Sequence, residues 1–182
     1  MLNYPDIDPV IFSIGFLKIR WYGLMYVLGF VCSWLLARAR AEKDWSILKP
    51  AQVDDLIFYC MIGVIVGGRL GYVLFCGFGC RLPDPLYLVR SAGGGLSFHG
   101  GLMGVIAALW WYARKIGVSV LDLGDFVAPL APLGLFFGRV GNFINGELWG
   151  KPTDMPWGFR VNGEVLHPSM LYEALLEGLV LF

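Results

Sequence analysis

The stretch LIFYCMIGVIVGGRLGYVLF, residues 56–75, holds one charged residue, Arg69, in an otherwise apolar or small sequence. A helix needs about 20 residues to cross the hydrocarbon core of a bilayer, so this stretch predicts a membrane-spanning helix. Gly63, Gly67 and Gly71 recur within it at every fourth position. Small residues at this spacing let membrane helices pack closely. The stretch therefore predicts a bundle of membrane helices.

The composition agrees with a membrane protein. Of the 182 residues, 57% are hydrophobic and 15% are charged, whereas about a quarter of the residues in soluble domains are charged. Three further apolar segments are long enough to span a bilayer, and another begins near Ser169. We therefore expect an all-α, polytopic integral membrane protein with a single membrane domain over residues 1–182, truncated at its C-terminus. It would have four full spans, at about 21–37, 56–75, 96–113 and 126–143, and the start of a fifth at 169–182.

The basic residues predict the orientation of the chain. Arg38, Arg40 and Lys43 lie in the short connection after the first span, and Arg114 and Lys115 in the one after the third. The opposite side has as many basic residues, but in longer connections. Because short cytoplasmic loops are enriched in lysine and arginine, we expect these two connections to be cytoplasmic and the N-terminus to lie outside. The unusual polar residues then collect near the outer leaflet.

Charge and cysteine content argue against several kinds of site. The formal net charge is zero, which is atypical of a nucleic-acid-binding protein. The four cysteines and two histidines form no metal-binding pattern. Cys76 and Cys80 are either a disulfide pair or two unpaired small apolar residues. These counts argue against a zinc or haem site and against a nucleic-acid partner.

The segment GRVGNFINGELWG, residues 138–150, ends the fourth span with unusual polarity. An arginine inside an apolar helix costs about 3 kcal/mol on insertion scales. Arg139 either snorkels or pairs with Glu147, or it binds a phosphate through its forked donors. Gly138 and Gly141 would let a headgroup approach the backbone. For Arg69, a structural ion pair and a headgroup contact are equally consistent with the sequence.

Other polar residues have two interpretations each. His99, in FHGGLMG, is either a hydrogen-bonding residue at a helix entrance or a base, since histidine suits proton abstraction at neutral pH. Asn142 and Asn145 could cap a helix, bond across helices or hold a ligand. Tyr22, in RWYGLMY, is by default an interfacial aromatic residue.

The fifth segment, HPSMLYEALLEG, carries a second polar group. His167 precedes a proline, which favours a structural role at a helix start. Tyr172 belongs to the same predicted outer level. Glu173 and Glu177 lie four residues apart on one helical face, where we expect basic partners from residues beyond the chain given.

These motifs together resemble the prolipoprotein diacylglyceryl transferase family. RWYGLMY, FHGGLMG, GRVGNFINGELWG and HPSMLYEALLEG cover the chain in the order that this family has them. The resemblance implies a seven-span enzyme of the bacterial cytoplasmic membrane. Such an enzyme moves the diacylglyceryl group of phosphatidylglycerol to the lipobox cysteine of a preprolipoprotein and releases glycerol phosphate. Its partners would be phosphatidylglycerol, the lipobox peptide and membrane lipids, with no cofactor.

The resemblance also implies roles for particular residues. Arg139 would bind the phosphate and stabilise the leaving group, while His99 takes or steers the thiol proton. The family has a second functional arginine in its C-terminal part, beyond residue 182. The phosphatidylglycerol site would include Arg139, Asn142, Glu147, Gly150 and Tyr22, with Arg69, Asn145, His167 and Tyr172 in supporting positions.

Two other functions fit the residues less well. A transporter or channel for anionic solutes would distribute polar residues through the membrane depth and often contains internal repeats. Another phospholipid-headgroup transferase would share a headgroup site. The predicted clustering at one face favours an enzyme over a transporter.

Overall fold

The computed structural model describes residues 1–5, 7–14, 17–77 and 97–182. They form two compact units, one of residues 1–36 with 129–182 and the other of residues 37–128. Cys80, and Leu96 at the predicted start of the third span, lie outside the described residues, as does the side chain of Cys76. The predicted Cys76–Cys80 alternatives therefore stay predictions.

The fold is mostly helical, as predicted. Among the described residues, three segments are long and apolar enough to cross a membrane: Trp21–Ala41, Pro50–Leu74 and Val120–Ile144. The helices are α1 (Trp21–Ala41), α2 (Pro50–Gly77), α3 (Phe98–Ile116), α4 (Val120–Val127), α5 (Ala131–Ile144) and α6 (Ser169–Glu173). A 3₁₀ turn, Ala128–Leu130, joins α4 to α5, and a π-helix, Ala174–Val180, follows α6.

The predicted count of four full spans is not confirmed. Within the described part of the chain, α3 is 19 residues long but is less apolar than the other three segments. Polar side chains at both ends lower the mean hydropathy of α3: His99 lies in its first turn, and Arg114 and Lys115 lie in its last.

The helices α1 and α2 are longer than the apolar segments from which they were predicted. The helix α1 continues past Ala37 to Ala41, since the arginines and alanines there are good helix formers. The helix α2 begins at Pro50 rather than Leu56, because proline suits a first helical position. The Gln52 side chain also accepts a hydrogen bond from the Lys49 amide at 2.9 Å.

Five short strands in the described part of the chain make the all-α prediction incomplete. They are β1 (Leu2–Asn3), β2 (Val10–Ile14), β3 (Leu17–Arg20), β4 (Phe159–Val161) and β5 (Glu164–Leu166). The strands β2 and β3 form an antiparallel pair, and β4 lies between a parallel β1 and an antiparallel β5. Asn162 and Gly163, with φ of 49° and 90°, make the turn of the second hairpin, which suits an Asn-Gly pair.

The glycines predicted to pack helices do so in the unit of residues 37–128. A Cβ on Gly63 would lie 2.5 Å from the Gly104 carbonyl oxygen, and one on Gly71 would lie 2.6 Å from the Gly100 Cα. The helices α2 and α3 therefore cross antiparallel with their backbones in contact. Ser97 caps α3 by accepting from the Gly100 amide at 3.2 Å.

In the other unit, α5 is the central helix. Gly134 faces Gly29 of α1, where an added Cβ on Gly29 would lie 3.6 Å from the Gly134 Cα. Phe136 packs against Gly178 of the π-helix, where an added Cβ would lie 2.6 Å from the Phe136 Cβ. The helix α5 is thus held from both sides, which fixes the position of Arg139.

Candidate functional site

The loop after α5 is shaped by two residues with positive φ. Gly146 has φ of 68° and Leu148 has φ of 59°, so the chain turns back sharply at the end of the helix. Tyr4 donates hydrogen bonds to the carbonyl oxygens of Phe143 and Ile144, at 2.7 and 3.0 Å. These bonds satisfy carbonyl groups that a helix end leaves free.

Aromatic rings hold this loop in place. Trp149 donates from its indole nitrogen to the Gly146 carbonyl oxygen at 2.9 Å. Its ring lies against Tyr4 and Phe159, with centroids 5.1 and 5.9 Å apart. The first contact is edge-on and the second is tilted, and aromatic pairs of this kind add to the stabilisation from buried area. The loop that carries Glu147 is therefore held in position by packed aromatic side chains.

Arg139 pairs with Glu173, and not with Glu147 as one interpretation of the sequence expected. The Arg139 Nε lies 2.7 Å from a Glu173 carboxylate oxygen, and the two side chains are 29% and 37% exposed. The pair joins α5 to α6. Within this chain Glu173 pairs with Arg139, and the expectation of basic partners beyond residue 182 stays a prediction.

Glu147 instead holds the two asparagines. Its two carboxylate oxygens accept from Asn142 Nδ2 at 3.4 Å and from Asn145 Nδ2 at 3.3 Å. Asn142 is buried, and the Asn145 Oδ1 is buried without a hydrogen-bond partner. A buried acceptor without a donor is costly, so this oxygen marks a place where a ligand hydroxyl or amine would be stabilised.

Tyr22 lies at the same place. Its ring covers Gly141, where an added Cβ would come within 2.9 Å of the tyrosine Cδ2. Its hydroxyl lies 3.3 Å from that of Tyr26, and the charges of Arg139 and Glu147 act on it. Tyr22 thus belongs to the polar group around Arg139.

The glycines of this segment differ in their surroundings, and their predicted roles at the headgroup stay predictions. Tyr22 covers Gly141, whereas Gly138 has open space around its Cα. At Gly150 the close neighbour is His167: the Gly150 amide donates to the His167 carbonyl oxygen at 2.8 Å. An added Cβ would lie 3.0 Å from the His167 Cβ, so glycine is needed there for packing.

His167 and Tyr172 form a second hydrogen-bonded group. The Tyr172 hydroxyl accepts from the Trp157 indole at 2.8 Å and pairs with His167 Nδ1 at 3.0 Å. His167 lies just before α6 and Tyr172 lies within it, so this group links the loop to the helix next to Glu173. Trp157 was not predicted as a site residue, and no local signal in the sequence singles it out.

His99 and Arg69 belong to the unit of residues 37–128. His99 is exposed in the first turn of α3, with its ring edge-on to Phe98 at a centroid distance of 5.7 Å. Arg69 is half-buried on α2, next to Gly68, whose carbonyl oxygen accepts from the Ser97 amide at 2.9 Å. Both residues thus lie at the same end of the α2–α3 pair.

The site that the structure assembles in residues 1–36 and 129–182 is a partly exposed arginine with polar partners. A partly exposed guanidinium has donors suited to phosphate oxygens. Glu147 and the Asn145 Oδ1 add acceptors for hydroxyl groups. Such an arrangement can bind a phosphate ester that also carries hydroxyls.

Comparison with known proteins agrees with this chemistry. The model of the family described as prolipoprotein diacylglyceryl transferase matches residues 9–182. A protein from Solidesulfovibrio magneticus is 56% identical over all of this chain and 71% of its own length. One from Methylococcus capsulatus is 57% identical with the same coverage, and one from Vibrio cholerae is 55% identical, with 68% of its length covered. All three are named phosphatidylglycerol–prolipoprotein diacylglyceryl transferase. With the family match extending over nearly its whole length, this chain belongs to the prolipoprotein diacylglyceryl transferase family.

Proposed function

We propose that this protein transfers the diacylglyceryl group of phosphatidylglycerol to the thiol of a lipobox cysteine in a preprolipoprotein. The observation that carries the proposal is Arg139, a partly exposed arginine in a membrane helix of a chain that belongs to this family. A guanidinium at this place suits a phospholipid phosphate. Family membership also favours a transferase over an anion transporter.

Arg139 is the proposed phosphate ligand. Its Nε is bonded to Glu173, and within the described residues no hydrogen bond occupies its two Nη groups. These Nη groups carry N–H donors for two phosphate oxygens, which is the bidentate geometry that arginine provides. Glu173 fixes the guanidinium plane while the outer edge binds the lipid.

The glycerol of the headgroup distinguishes phosphatidylglycerol from other phospholipids by its two hydroxyl groups. Glu147 and the Asn145 Oδ1 are acceptors at the end of the helix that carries Arg139 and in the loop that follows it, and the second of these has no donor. Asn142 positions Glu147 from the helix side. We assign the headgroup hydroxyls to these two acceptors and the tyrosine ring of Tyr22 to the wall of the site, with Gly150 supporting it through His167.

The reaction begins with a thiolate, because a free cysteine thiol has a pKa of about 8.5 and the thiolate is the nucleophile. The sulfur attacks the glyceryl carbon, a C–S bond forms, and the C–O bond to the phosphate breaks. The electron pair leaves on the phosphate of glycerol phosphate, where Arg139 stabilises the charge. His99 is the proposed acceptor of the thiol proton, and Arg69 is a supporting cation in its unit.

We also infer the setting of the reaction. The density of basic residues in the loops after α1 and α3 supports a cytoplasmic-membrane enzyme with its N-terminus outside. The site would then open toward the outer leaflet, where both substrates can enter laterally. The full enzyme would have seven spans and a second functional arginine beyond residue 182.

The test uses the full-length protein with phosphatidylglycerol and a lipobox peptide. The peptide cysteine should gain the mass of a diacylglyceryl group, and glycerol phosphate should appear in equal amount. Arg139→Ala should lower the rate by about 10²–10³-fold, as the loss of a transition-state donor does. Arg160→Ala, at an exposed position of β4, is the matched control and should keep the rate. Absence of the mass gain in the unaltered protein refutes the function, and a normal rate in Arg139→Ala refutes the role of this arginine.

A further inference from the structure

A polar pocket lies within the unit of residues 37–128. It is open to solvent and lies where the end of α1 and the α1–α2 connection meet α4. Its lining residues are Arg40, Trp45, Ile47, Asp122, Asp125 and Phe126. None of them belongs to the site proposed for the transfer reaction.

Arg40 is held in this pocket by aromatic rings. The centre of its guanidinium lies 5.0 Å from the Trp45 ring centroid and 5.5 Å from that of Phe126. Contacts of this kind fix the guanidinium plane. Its Nε is buried and has no hydrogen-bond partner. A buried charged donor without an acceptor is costly, so an acceptor from outside the protein would stabilise it.

The two carboxylates of the pocket are also unpaired. Asp122 and Asp125 are exposed, and within residues 37–77 and 97–128 neither forms an ion pair with Arg40 or with another side chain. One cation, Arg40, and two anions, Asp122 and Asp125, thus line the same pocket without forming an ion pair with each other. A ligand that carries both a phosphate and an ammonium group matches this set of charges. A metal ion matches it less well, since no group of three suitable side chains occurs among the described residues.

The position of the pocket indicates a lipid. Arg40 is near the end of the candidate span Trp21–Ala41, and Asp122 and Asp125 are in the first turns of the candidate span Val120–Ile144. Ends of spans lie at the headgroup level, where exposed tryptophans such as Trp45 are enriched. We propose that this pocket binds the headgroup of a zwitterionic phospholipid with a primary ammonium, such as phosphatidylethanolamine. Arg40 binds the phosphate, and Asp122 with Asp125 binds the ammonium.

The test measures lipid retention by native mass spectrometry of the full-length protein. Phosphatidylethanolamine and phosphatidylcholine with identical acyl chains are compared, because they differ only in methylation of the ammonium. We expect about tenfold stronger retention of phosphatidylethanolamine, the effect of charge-assisted hydrogen bonds that the methylated ammonium does not form. The Asp122→Asn, Asp125→Asn double variant should lose this preference. Arg40→Gln should lower the retention of phosphatidylethanolamine about tenfold.

The matched controls are Asp44→Asn and Lys43→Gln, exposed positions of the same connection outside the pocket. Both should behave as the unaltered protein. Equal retention of the two lipids by the unaltered protein, or an undiminished preference in the double aspartate variant, overturns the proposal. Displacement of the bound lipid by soluble phosphoethanolamine also overturns it, in favour of a soluble ligand. The assay contains neither phosphatidylglycerol nor peptide, so its result is independent of the transfer reaction.

Discussion

The contact between α2 and α3 makes the sharpest prediction about stability. In Gly104→Ala, the new Cβ would overlap the carbonyl oxygen of Gly63 and lie 2.7 Å from the Gly63 carbonyl carbon. It would also lie 3.1 Å from the Gly67 Cα. All three neighbours are backbone atoms, so no side-chain rotation relieves the overlap. The two helices must move apart by about 1 Å to reach ordinary carbon contact distances of about 3.5–4.0 Å.

The magnitude follows from two opposing effects. Overpacking in a tight contact costs about 1–3 kcal/mol, and a contact against backbone on an opposing helix belongs at the upper end. Alanine favours the helix over glycine by about 1 kcal/mol. We therefore expect Gly104→Ala to lower the free energy of unfolding by about 2 kcal/mol, a factor of about 30 in the ratio of unfolded to folded protein.

The measurement is equilibrium unfolding in mixed micelles, followed by circular dichroism as the fraction of denaturing detergent rises. Gly124→Ala is the matched control, because an added Cβ there has no neighbour within 4 Å. It should raise the stability by up to about 1 kcal/mol through helix propensity alone. If the two substitutions change the stability by the same amount and sign, close backbone packing does not stabilise this pair of helices.

Three further predictions concern the site around α5. Glu173→Gln should slow diacylglyceryl transfer about tenfold, because Arg139 loses the charged partner that orients its Nε; an unchanged initial rate would show that this partner is dispensable. Tyr172→Phe removes a hydroxyl that makes two hydrogen bonds and should lower the free energy of unfolding by about 1–2 kcal/mol, measured in the same micelle titration, whereas unaltered stability contradicts it. Gly141→Ala should slow transfer, because its Cβ displaces the Tyr22 ring, and a rate equal to that of the unaltered enzyme would remove Tyr22 from the wall of the site.

The sequence predicted the helices well because hydropathy is a local property. An apolar run such as Leu56–Phe75 forms a helix in a membrane whatever its neighbours are, since backbone groups must be paired there. The glycine spacing predicted close helix packing for the same reason. Gly63 and Gly67 lie on one face of α2 by helical geometry alone. The helix limits were less predictable, because α1 and α2 continue as helices beyond their apolar parts.

The pairing of distant residues was not predictable in this way. Arg139 and Glu173 are separated by a loop, two strands and the start of α6, and only the packing of α6 on α5 brings them together. Sequence reasoning offered Glu147 as the nearer partner for Arg139. The structure assigns Glu147 to Asn142 and Asn145 instead, because Leu148 and Gly146 turn the loop back onto the helix end.

The Arg139–Glu173 pair also explains how an apolar helix tolerates the proposed phosphate ligand. An uncompensated arginine in a membrane helix is costly, and a carboxylate 2.7 Å from its Nε offsets that cost while the site holds no lipid. Because both side chains are partly exposed, at 29% and 37%, one edge of the guanidinium stays accessible beside the pair. A phosphate that binds the remaining edge of the guanidinium therefore adds to the pair without having to break it. An arginine with a carboxylate on one side and open access on the other combines stability in the membrane with readiness to bind an anionic headgroup.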